Sequence, residues 1–348
     1  MLRTIAIIAA LVGAALGGYL LSEGLYGSNG DSSKAATTEK EEVRWVAAAP
    51  GRVEPGSGEF RINAAILGLV ADVPVKINDG VEQGEVLIRL EDEEARARLA
   101  AAEAEEGLSR RQRDAQPATS GREDVTKGED AVYSAEREVT GARFELDAAL
   151  AGKRKGEATD QQVADARRRL SKAQERVERE RLRYAQAQAK SDLPAPNQSE
   201  SALTAARANV ALAGAQLDKT RIRAPKAGTV IELNAKQGEL VSPSPEQALA
   251  VVGDMSKLRV KAEVDDGEVG KIKVGQKAFV RSINFPDKDF PGKVTAMAPS
   301  MATPRINPRG PRRPLDIEVL EVTIELDDTN ADLRPGMRVD AFILPNNS

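Results

Sequence analysis

The feature that most constrains the fold of this chain is a long stretch of helix-forming residues in its middle. Residues 92–220 consist almost entirely of Ala, Glu, Arg, Gln, Lys and Leu, the residue types with the strongest helix propensities. Small and apolar residues recur within this stretch at alternating spacings of three and four. They are Val125, Gly128, Val132, Ala135, Val139, Ala142, Leu146 and Ala149, then Val163, Ala166, Leu170, Ala173 and Val177, and finally Leu203, Ala206, Val210, Ala213 and Leu217. This spacing predicts helices that each bury a narrow seam against one partner helix, as in a coiled coil.

The middle of the stretch contains signals for a helix end, a turn and a new helix start. The segment GKRKG at 152–156 is typical of a helix C-terminus, and Thr159 with Asp160 is typical of the N-cap of a following helix. We therefore predict that residues 92–220 form an antiparallel α-helical hairpin with its tip at about residues 152–160.

Prolines divide the predicted hairpin into two sections. Pro117 precedes the tip by about as many residues as Pro194 and Pro196 follow it, and proline breaks a helix by removing a hydrogen-bond donor. We expect a proximal section below these breaks and a distal section above them. At about 1.5 Å per residue, the distal section alone is expected to project as a rod of about 45–50 Å.

Two strand-like segments on either side of the helical stretch resemble each other at a constant offset. The aligned positions are Gly68, Val70, Val73, Asn78, Asp79 and Val81 in the first, and Gly228, Val230, Leu233, Gly238, Glu239 and Val241 in the second. Asn78 and Gly238 fall where a turn is expected to need a positive φ, which Asn and Gly tolerate best. One half is too short to bury its own apolar face, so we predict that residues 43–91 and 221–254 pair into one flattened β-sandwich. Two unrelated hairpins with common turn chemistry are the alternative.

The N-terminal residues predict a membrane anchor. Residues 5–21 form an uncharged run, which at about 17 residues is short but workable as a membrane span. Arg3 and the N-terminal amine precede this run, so the N-terminus is expected to stay in the cytoplasm. We predict a transmembrane signal-anchor at 1–27, a polar linker at 28–42, and export of the rest of the chain. A cleaved signal peptide is the alternative, and it exports the same residues.

The last third of the chain is strand-like. Short alternating segments such as LRVKAEVD and GQKAFVRSI follow one another after Met255, with Gly and Pro between them. Strands at this spacing favour a small β-barrel, which we assign to residues 255–348.

The composition excludes several classes of function. The chain has no Cys and no His, so it lacks disulfides, thiol nucleophiles and the commonest general base and metal ligand. Its Asp and Glu residues follow helical, solvated patterns and form no isolated pair, so we expect no enzyme, no cofactor and no metal site. A net charge of −4 argues against nucleic acid as the main partner.

The order of these parts resembles the membrane fusion protein family, the HlyD-like periplasmic adaptors, over residues 1–345. Two motifs carry the resemblance, Thr220-Arg-Ile-Arg-Ala-Pro-Lys-Ala-Gly-Thr-Val230 at the entry to the second β half and Leu333-Arg-Pro-Gly-Met-Arg-Val339 near the last barrel strand. The resemblance implies an elongated α+β fold. It would have an N-terminal membrane anchor, a lipoyl-like (barrel-sandwich hybrid) β domain interrupted by a long antiparallel coiled-coil α-hairpin, and a small β-barrel.

The hairpin tip is similar to the tip of adaptors that dock on TolC-like outer-membrane channels. Lys155, Gly156, Thr159 and Ala166 match that pattern, whereas Gln162 stands where an acid is usual. The resemblance therefore implies that these five residues form a channel-docking site. A simple capped turn would need the same Gly and Thr, and that alternative stays open.

Short segments at 45–55 and 310–314 look most like the DevB-type adaptors that serve ABC exporters. The resemblance implies three partners, namely an inner-membrane transporter that is an ABC permease, a TolC-like outer-membrane channel, and further copies of the chain in a hexamer. The chain would lie in the inner membrane as a single-pass protein with its bulk in the periplasm. An adaptor of a proton-driven RND or MFS efflux pump and a non-transport periplasmic coiled-coil scaffold are the alternatives.

Overall fold

The structure of the chain is a computed structural model that describes residues 45–117, 119–190, 193–306, 318–327 and 332–345. The predicted signal-anchor at 1–27 and the polar linker at 28–42 lie outside these residues. Among the helices within the described ranges, none is both long enough and apolar enough to cross a membrane.

Four long helices occupy the middle of the chain. They are α1 (Glu93–Asp114), α2 (Glu123–Lys155), α3 (Asp160–Gln188) and α4 (Gln198–Lys219). Helix α1 packs along α4, and α2 packs along α3. The seams are apolar, as their spacing predicts, and the fully buried members are Val125, Ala135, Ala142, Val163, Ala166, Ala173 and Val177 in one pair and Leu203, Ala206, Val210, Ala213 and Leu217 in the other. The breaks at Pro117 and at Pro194 separate the two pairs.

Two four-stranded sheets form the β-sandwich at the base of the helices. The first half contributes β2 (Glu59–Ile62), β3 (Gly68–Asp72), β4 (Gly80–Val81) and β5 (Val86–Leu90), and the second half contributes β6 (Arg221–Arg223), β7 (Gly228–Leu233), β8 (Leu240–Val241) and β9 (Ala250–Gly253). The strand orders are β2-β9-β7-β4 and β6-β5-β3-β8. Each sheet therefore contains strands from both halves, as the repeat predicts.

The two halves exchange equivalent hydrogen bonds at their turns. The N–H of Asn78 donates to the carbonyl of Val230 at 2.9 Å, and the N–H of Gly238 donates to the carbonyl of Val70 at 2.8 Å. Asn78 and Gly238 have φ values of 71° and 82°, so the predicted positive-φ turns are confirmed. Because each half completes the other, neither half can form its sheet alone.

A closed six-stranded β-barrel completes the described fold. Five of its strands come from the C-terminal third, together with the helical turn α5 (Asp266–Val269). They are β10 (Leu258–Asp265), β11 (Lys277–Ser282), β12 (Phe285–Ala302), β13 (Val319–Leu326) and β14 (Arg338–Ile343). The sixth is β1 (Ala47–Pro55), which pairs with β10 and β14.

The position of β1 corrects the sequence-based assignment, which placed this strand with the first lipoyl-like half and limited the barrel to residues 255–348. Strand β1 buries Ala47, Ala49 and Val53 in the barrel core. It also supplies the backbone hydrogen bonds that the free edges of β10 and β14 would otherwise lack. The barrel therefore takes its closing strand from the other end of the described chain.

The distal helix pair is α2 with α3, and the proximal pair is α1 with α4. The distal pair does not project from the proximal pair in this structure, so the prediction of a projecting rod is wrong. Asp130, near the start of α2, accepts a hydrogen bond from Arg113 near the end of α1 at 3.1 Å. Asp147, further along α2, accepts one from Arg223 on β6 at 2.7 Å. Helix α2 therefore runs back along the proximal pair toward the β-sandwich.

The reversal has two physical causes. Proline at 117 and at 194 ends the regular helical hydrogen bonding, which leaves short irregular segments where the chain can change direction. The charges of α2 then meet opposite charges on α1, α4 and β6 rather than solvent. The seam spacing predicts the two pairs but contains no information on how one pair lies on the other.

Candidate docking site at the hairpin tip

The tip between α2 and α3 is a tight, fully hydrogen-bonded turn. Gly156 ends α2 with a φ of 77°, in the left-handed region that favours glycine. The N–H of Gly156 donates to the carbonyl of Lys153 at 3.0 Å, and that of Glu157 donates to the carbonyl of Gly152 at 2.8 Å. These bonds satisfy carbonyls that the end of a helix leaves without partners.

Helix α3 begins with a capping box. The hydroxyl of Thr159 accepts a hydrogen bond from the N–H of Gln162 at 3.3 Å, and the Gln162 Oε1 accepts one from the N–H of Thr159 at 2.7 Å. The predicted N-cap at Thr159 is confirmed. Gln162 can replace the usual acid at this position because its amide oxygen provides the same acceptor.

Four of the five residues predicted to dock on a channel are exposed at this turn. They are Lys155, Gly156, Thr159 and Gln162. The fifth, Ala166, is only 5% exposed and lies one turn after Val163 in the seam between α2 and α3. Ala166 therefore allows close packing of the helices and is not available to a partner in this structure, which corrects its assignment to the docking surface.

The tip lies against the β-sandwich through Arg154, a contact that the sequence interpretation missed. The guanidinium of Arg154 donates to Glu85 at 2.8 Å, to Asp79 at 2.9 Å and to the carbonyl of Gly80 at 3.0 Å. We call the segment 79–85 the acidic turn. Its sequence, DGVEQGE, carries three acids within seven residues and was the available signal for a basic partner.

A second contact joins the tip to the acidic turn. Arg167, one turn beyond the capping box region of α3, forms an ion pair with Glu82. Burial raises the pKa of Glu85, although the hydrogen bond and the charge of Arg154 act in the opposite direction. Glu85 is 5% exposed, so its charged form depends on the presence of the guanidinium.

A cluster of charged residues lies between the two helix pairs, well away from the tip. Arg207 on α4, which is 8% exposed, donates to Asp130 at 2.5 Å and forms an ion pair with Glu106 on α1 at 3.4 Å. Burial opposes ionisation of Asp130, but hydrogen bonds from Arg207 and Arg113 outweigh it and lower the pKa of this carboxyl. Asp130 is therefore ionised at neutral pH, and its cluster connects α1, α2 and α4.

The charged groups near the tip are engaged with one another. Within the described ranges, no group of three or more His, Cys, Asp or Glu residues could hold a metal ion. The charged side chains that contact the acidic turn are engaged in ion pairs. What the tip offers a partner is a rigid turn with exposed polar side chains and backbone.

Comparisons with known proteins find curated proteins that are similar to parts of this chain. No protein-family model matches the chain. The pyoverdine export membrane fusion protein PvdR of Pseudomonas aeruginosa is 29% identical over 86 residues, which are 24% of this chain and 22% of that protein. The macrolide export protein MacA of Escherichia coli O157:H7 is 33% identical over 95 residues, which are 27% of this chain and 26% of that protein. The matches thus span about a quarter of the length of these relatives.

One solved structure aligns with a larger part of the chain. It is a MacA–MexA chimeric protein that contains the Pseudomonas aeruginosa MexA α-hairpin domain. It aligns with a TM-score of 0.48 at 20% identity, over 86% of this chain and 81% of that chain.

Proposed function

We propose that the chain is a member of the membrane fusion protein family and the periplasmic adaptor of a tripartite export or efflux system, which its similarity to PvdR and MacA supports. In this function it links an inner-membrane transporter of the ABC type to a TolC-like outer-membrane channel. One observation carries the proposal, namely a helical hairpin with a capped, exposed tip inserted between the halves of a small β-sandwich. Such a chain makes and breaks no bond, and it connects two membrane proteins.

The tip supports the contact with the channel. Lys155, Gly156, Thr159 and Gln162 are exposed on a turn whose backbone is held from both helices. A rigid turn presents the same surface in every copy, so little conformational entropy is lost when a partner binds.

The barrel supports the contact with the inner-membrane transporter. Trp45 is 48% exposed and its ring lies 5.0 Å from that of Phe342, which stacks on Phe279 at 5.0 Å. Ile283 is 65% exposed. Exposed apolar and aromatic side chains of this kind are typical of surfaces that bind other proteins.

The assembly is proposed to contain six copies, and the single-pass anchor at 1–27 is proposed to hold each copy in the inner membrane. The ABC type of the transporter rests on the DevB-like segments at 45–55 and 310–314. The mass of the full chain in mild detergent would check the first point, since a hexamer has six times the protomer mass of 37.2 kDa.

The absence of cysteine from the chain makes the channel contact directly testable. Thr159→Cys places a single thiol at the tip, and Gln186→Cys places one on the same helix far from the tip as a matched control, both at exposed positions. Cells that carry either variant would be treated with a short thiol-to-amine crosslinker, and the adducts identified by mass spectrometry. We expect an outer-membrane channel to be captured from Thr159→Cys and not from Gln186→Cys. Equal capture from both sites, or capture of inner-membrane proteins alone, would contradict channel docking.

The same experiment separates the alternative functions when the thiol is moved to the barrel at Ile283→Cys. An ABC permease in the adduct supports the proposed type of transporter. An RND or MFS transporter in the adduct supports the alternative, an adaptor of a proton-driven efflux pump. Deletion of the chain should abolish export and the wild-type chain should restore it. Normal export without the chain would instead favour a periplasmic scaffold.

A further inference from the structure

The helices are held together differently within a pair and between pairs. Within the α2–α3 pair the backbones approach closely, and Ala135 and Ala173 in the seam are 0% and 1% exposed. At Gly128 an added Cβ would lie 3.2 Å from the ring of Tyr184, which shows how closely the two helices pack. The pair therefore has its own apolar seam and needs no other helix to form it.

Between the α2–α3 pair and the rest of the fold, ionic contacts prevail, both to the proximal pair and to β6 of the β-sandwich. Asp147 accepts hydrogen bonds from both terminal nitrogens of Arg223, at 2.7 and 2.9 Å, and Arg143 donates to Asp218 at 3.4 Å. The pair of Arg143 with Asp218 is partly exposed, so salt screens it and its contribution to stability is small. The pairs of Asp130 with Arg207 and of Glu85 with Arg154 are largely buried, so each charge depends on its partner while the arm is folded.

A cavity of about 740 Å³ lies between α1, α2 and α4. Its apolar lining includes Leu99, Val132, Tyr133, Phe144 and Val210. This cavity is open to solvent, and atoms that face it lose dispersion contacts. Tyr133 and Phe144 of α2 contact the guanidinium groups of Arg207 and Arg221 at 4.6 and 4.1 Å, so α2 meets its neighbours only in part.

The segments that connect the pairs are suited to a change of direction. Gly121 has a φ of 87° in the connection between α1 and α2. Arg122 donates to the carbonyl of Pro194 at 2.9 Å, which joins this connection to the one between α3 and α4. Gly121 and Arg122 therefore lie beside Pro194, so the described parts of the two connections meet at one place where the arm can change direction.

We propose that residues 123–188, the arm, are released from the proximal pair and exchange between this folded position and an extended one. In the extended position Arg154 leaves the acidic turn, and an arm of about 50 Å, at about 1.5 Å per residue, continues the direction of the proximal pair. The ionic contacts and the open cavity between the pairs make this exchange possible, because release breaks ion pairs and two arginine–ring contacts rather than a continuous apolar seam. Only the idea that the extended arm reaches an outer-membrane channel rests on the proposed function.

The experiment measures a distance in the full chain, purified in mild detergent. Spin labels at Glu157→Cys and Gln237→Cys, both exposed, report the distance from the tip to the β-sandwich by pulsed electron resonance. The variant D130R/D147R reverses two charges by which α2 meets α4 of the proximal pair and β6 of the β-sandwich. The matched control E138R/E145R reverses two charges on the same helix that pair with Arg176 and Arg169 of α3.

We expect the control to keep the short distance and D130R/D147R to lose it by tens of ångströms, with the helical circular dichroism signal unchanged. Raising the salt to about 1 M should lengthen the distance in the chain with native charges, because it screens the same contacts. A short distance that persists in D130R/D147R and at high salt overturns the proposal. If D130R/D147R loses its helical signal, the salt series decides, and an unchanged distance at high salt with intact helices overturns the proposal. Because no channel or transporter takes part, failure of this test is distinct from failure of the adaptor function.

Discussion

The β-barrel and the folded arm are stabilised by different forces. In the barrel, Val260, Phe290, Ile324 and Ile343 are at most 1% exposed, and every strand pairs with two neighbours. The arm meets the proximal helices through ion pairs around a cavity. Apolar close packing permits one arrangement, because any shift opens voids, whereas ionic contacts around a cavity can be exchanged at a small cost. One chain therefore combines a fixed base with an adjustable arm.

The largest effect is expected from Phe290→Ala in the barrel. Removing this buried ring should lower the free energy of unfolding by about 3–5 kcal/mol, through lost burial and the cavity that remains. Trp45 is the single tryptophan and lies against Phe342 of the barrel, so its fluorescence during denaturation reports barrel unfolding. Ile283→Ala, at a 65% exposed position, should change the free energy of unfolding by no more than about 0.5 kcal/mol. If the helical circular dichroism transition shifts as far as the fluorescence transition, barrel and arm unfold as one unit and the contrast is lost.

A smaller effect is expected from Ala173→Leu in the seam of the arm. Ala173 is 1% exposed, so the larger side chain should overpack the seam and destabilise the helix pair by about 1–3 kcal/mol. Denaturation followed by helical circular dichroism measures this change, with Ala185→Leu at an exposed position of the same helix as the control. Equal stability of the two variants would mean that the seam is as loosely packed as the interface between the pairs.

The smallest effect is expected from Asp130→Asn, and it should depend on pH. Burial alone would raise the pKa of Asp130, but Arg207 and Arg113 hold it below the ordinary value of 3.8. A carboxyl with a lowered pKa stabilises the folded state fully above its ordinary pKa, and this contribution is lost as the pH falls through the lowered pKa of the folded state. The stability difference between the wild-type chain and Asp130→Asn should therefore be largest near neutral pH, begin to shrink near pH 3.8 and close only below the lowered pKa.

Thermal unfolding monitored by circular dichroism across this pH range measures the effect. Asp287→Asn, at an exposed barrel position, provides the comparison for a carboxylate away from the helices. A stability difference for Asp130→Asn that stays constant with pH would show that the charge of Asp130 does not hold the arm.

Local features of the tip and the turns could be predicted well. Gly156 and Thr159 act on their own helix ends through backbone hydrogen bonds within a few residues, so their identity is enough to place the turn. Asn78 and Gly238 adopt positive φ for the same reason. The role of Ala166 could not be separated from that of its neighbours, because a small residue suits both a seam and a docking surface.

Contacts between distant parts of the chain could not be predicted. Strand β1 alternates in burial like any strand, and nothing in its residues distinguishes the edge of a barrel from the edge of a sandwich. The pairing of Arg154 with Glu85 joins residues 69 positions apart. The acidic turn pointed to a basic partner, but many arginines of the helices could have met it.

By itself, the sequence determined the helices, their seams, the capped tip, the paired β halves and the presence of a barrel. These follow from periodicity and from backbone preferences that act over a few residues. Only the tertiary structure decided which strand closes the barrel and that the arm folds back along the proximal helices. For the strand, the physical reason is that its alternating burial fits a barrel and a sandwich equally well. For the arm, the reason is that 50 Lys and Arg and 54 Asp and Glu allow a great number of ion pairs. Their individual energies are too small and too similar for a local pattern to select the pairs that form.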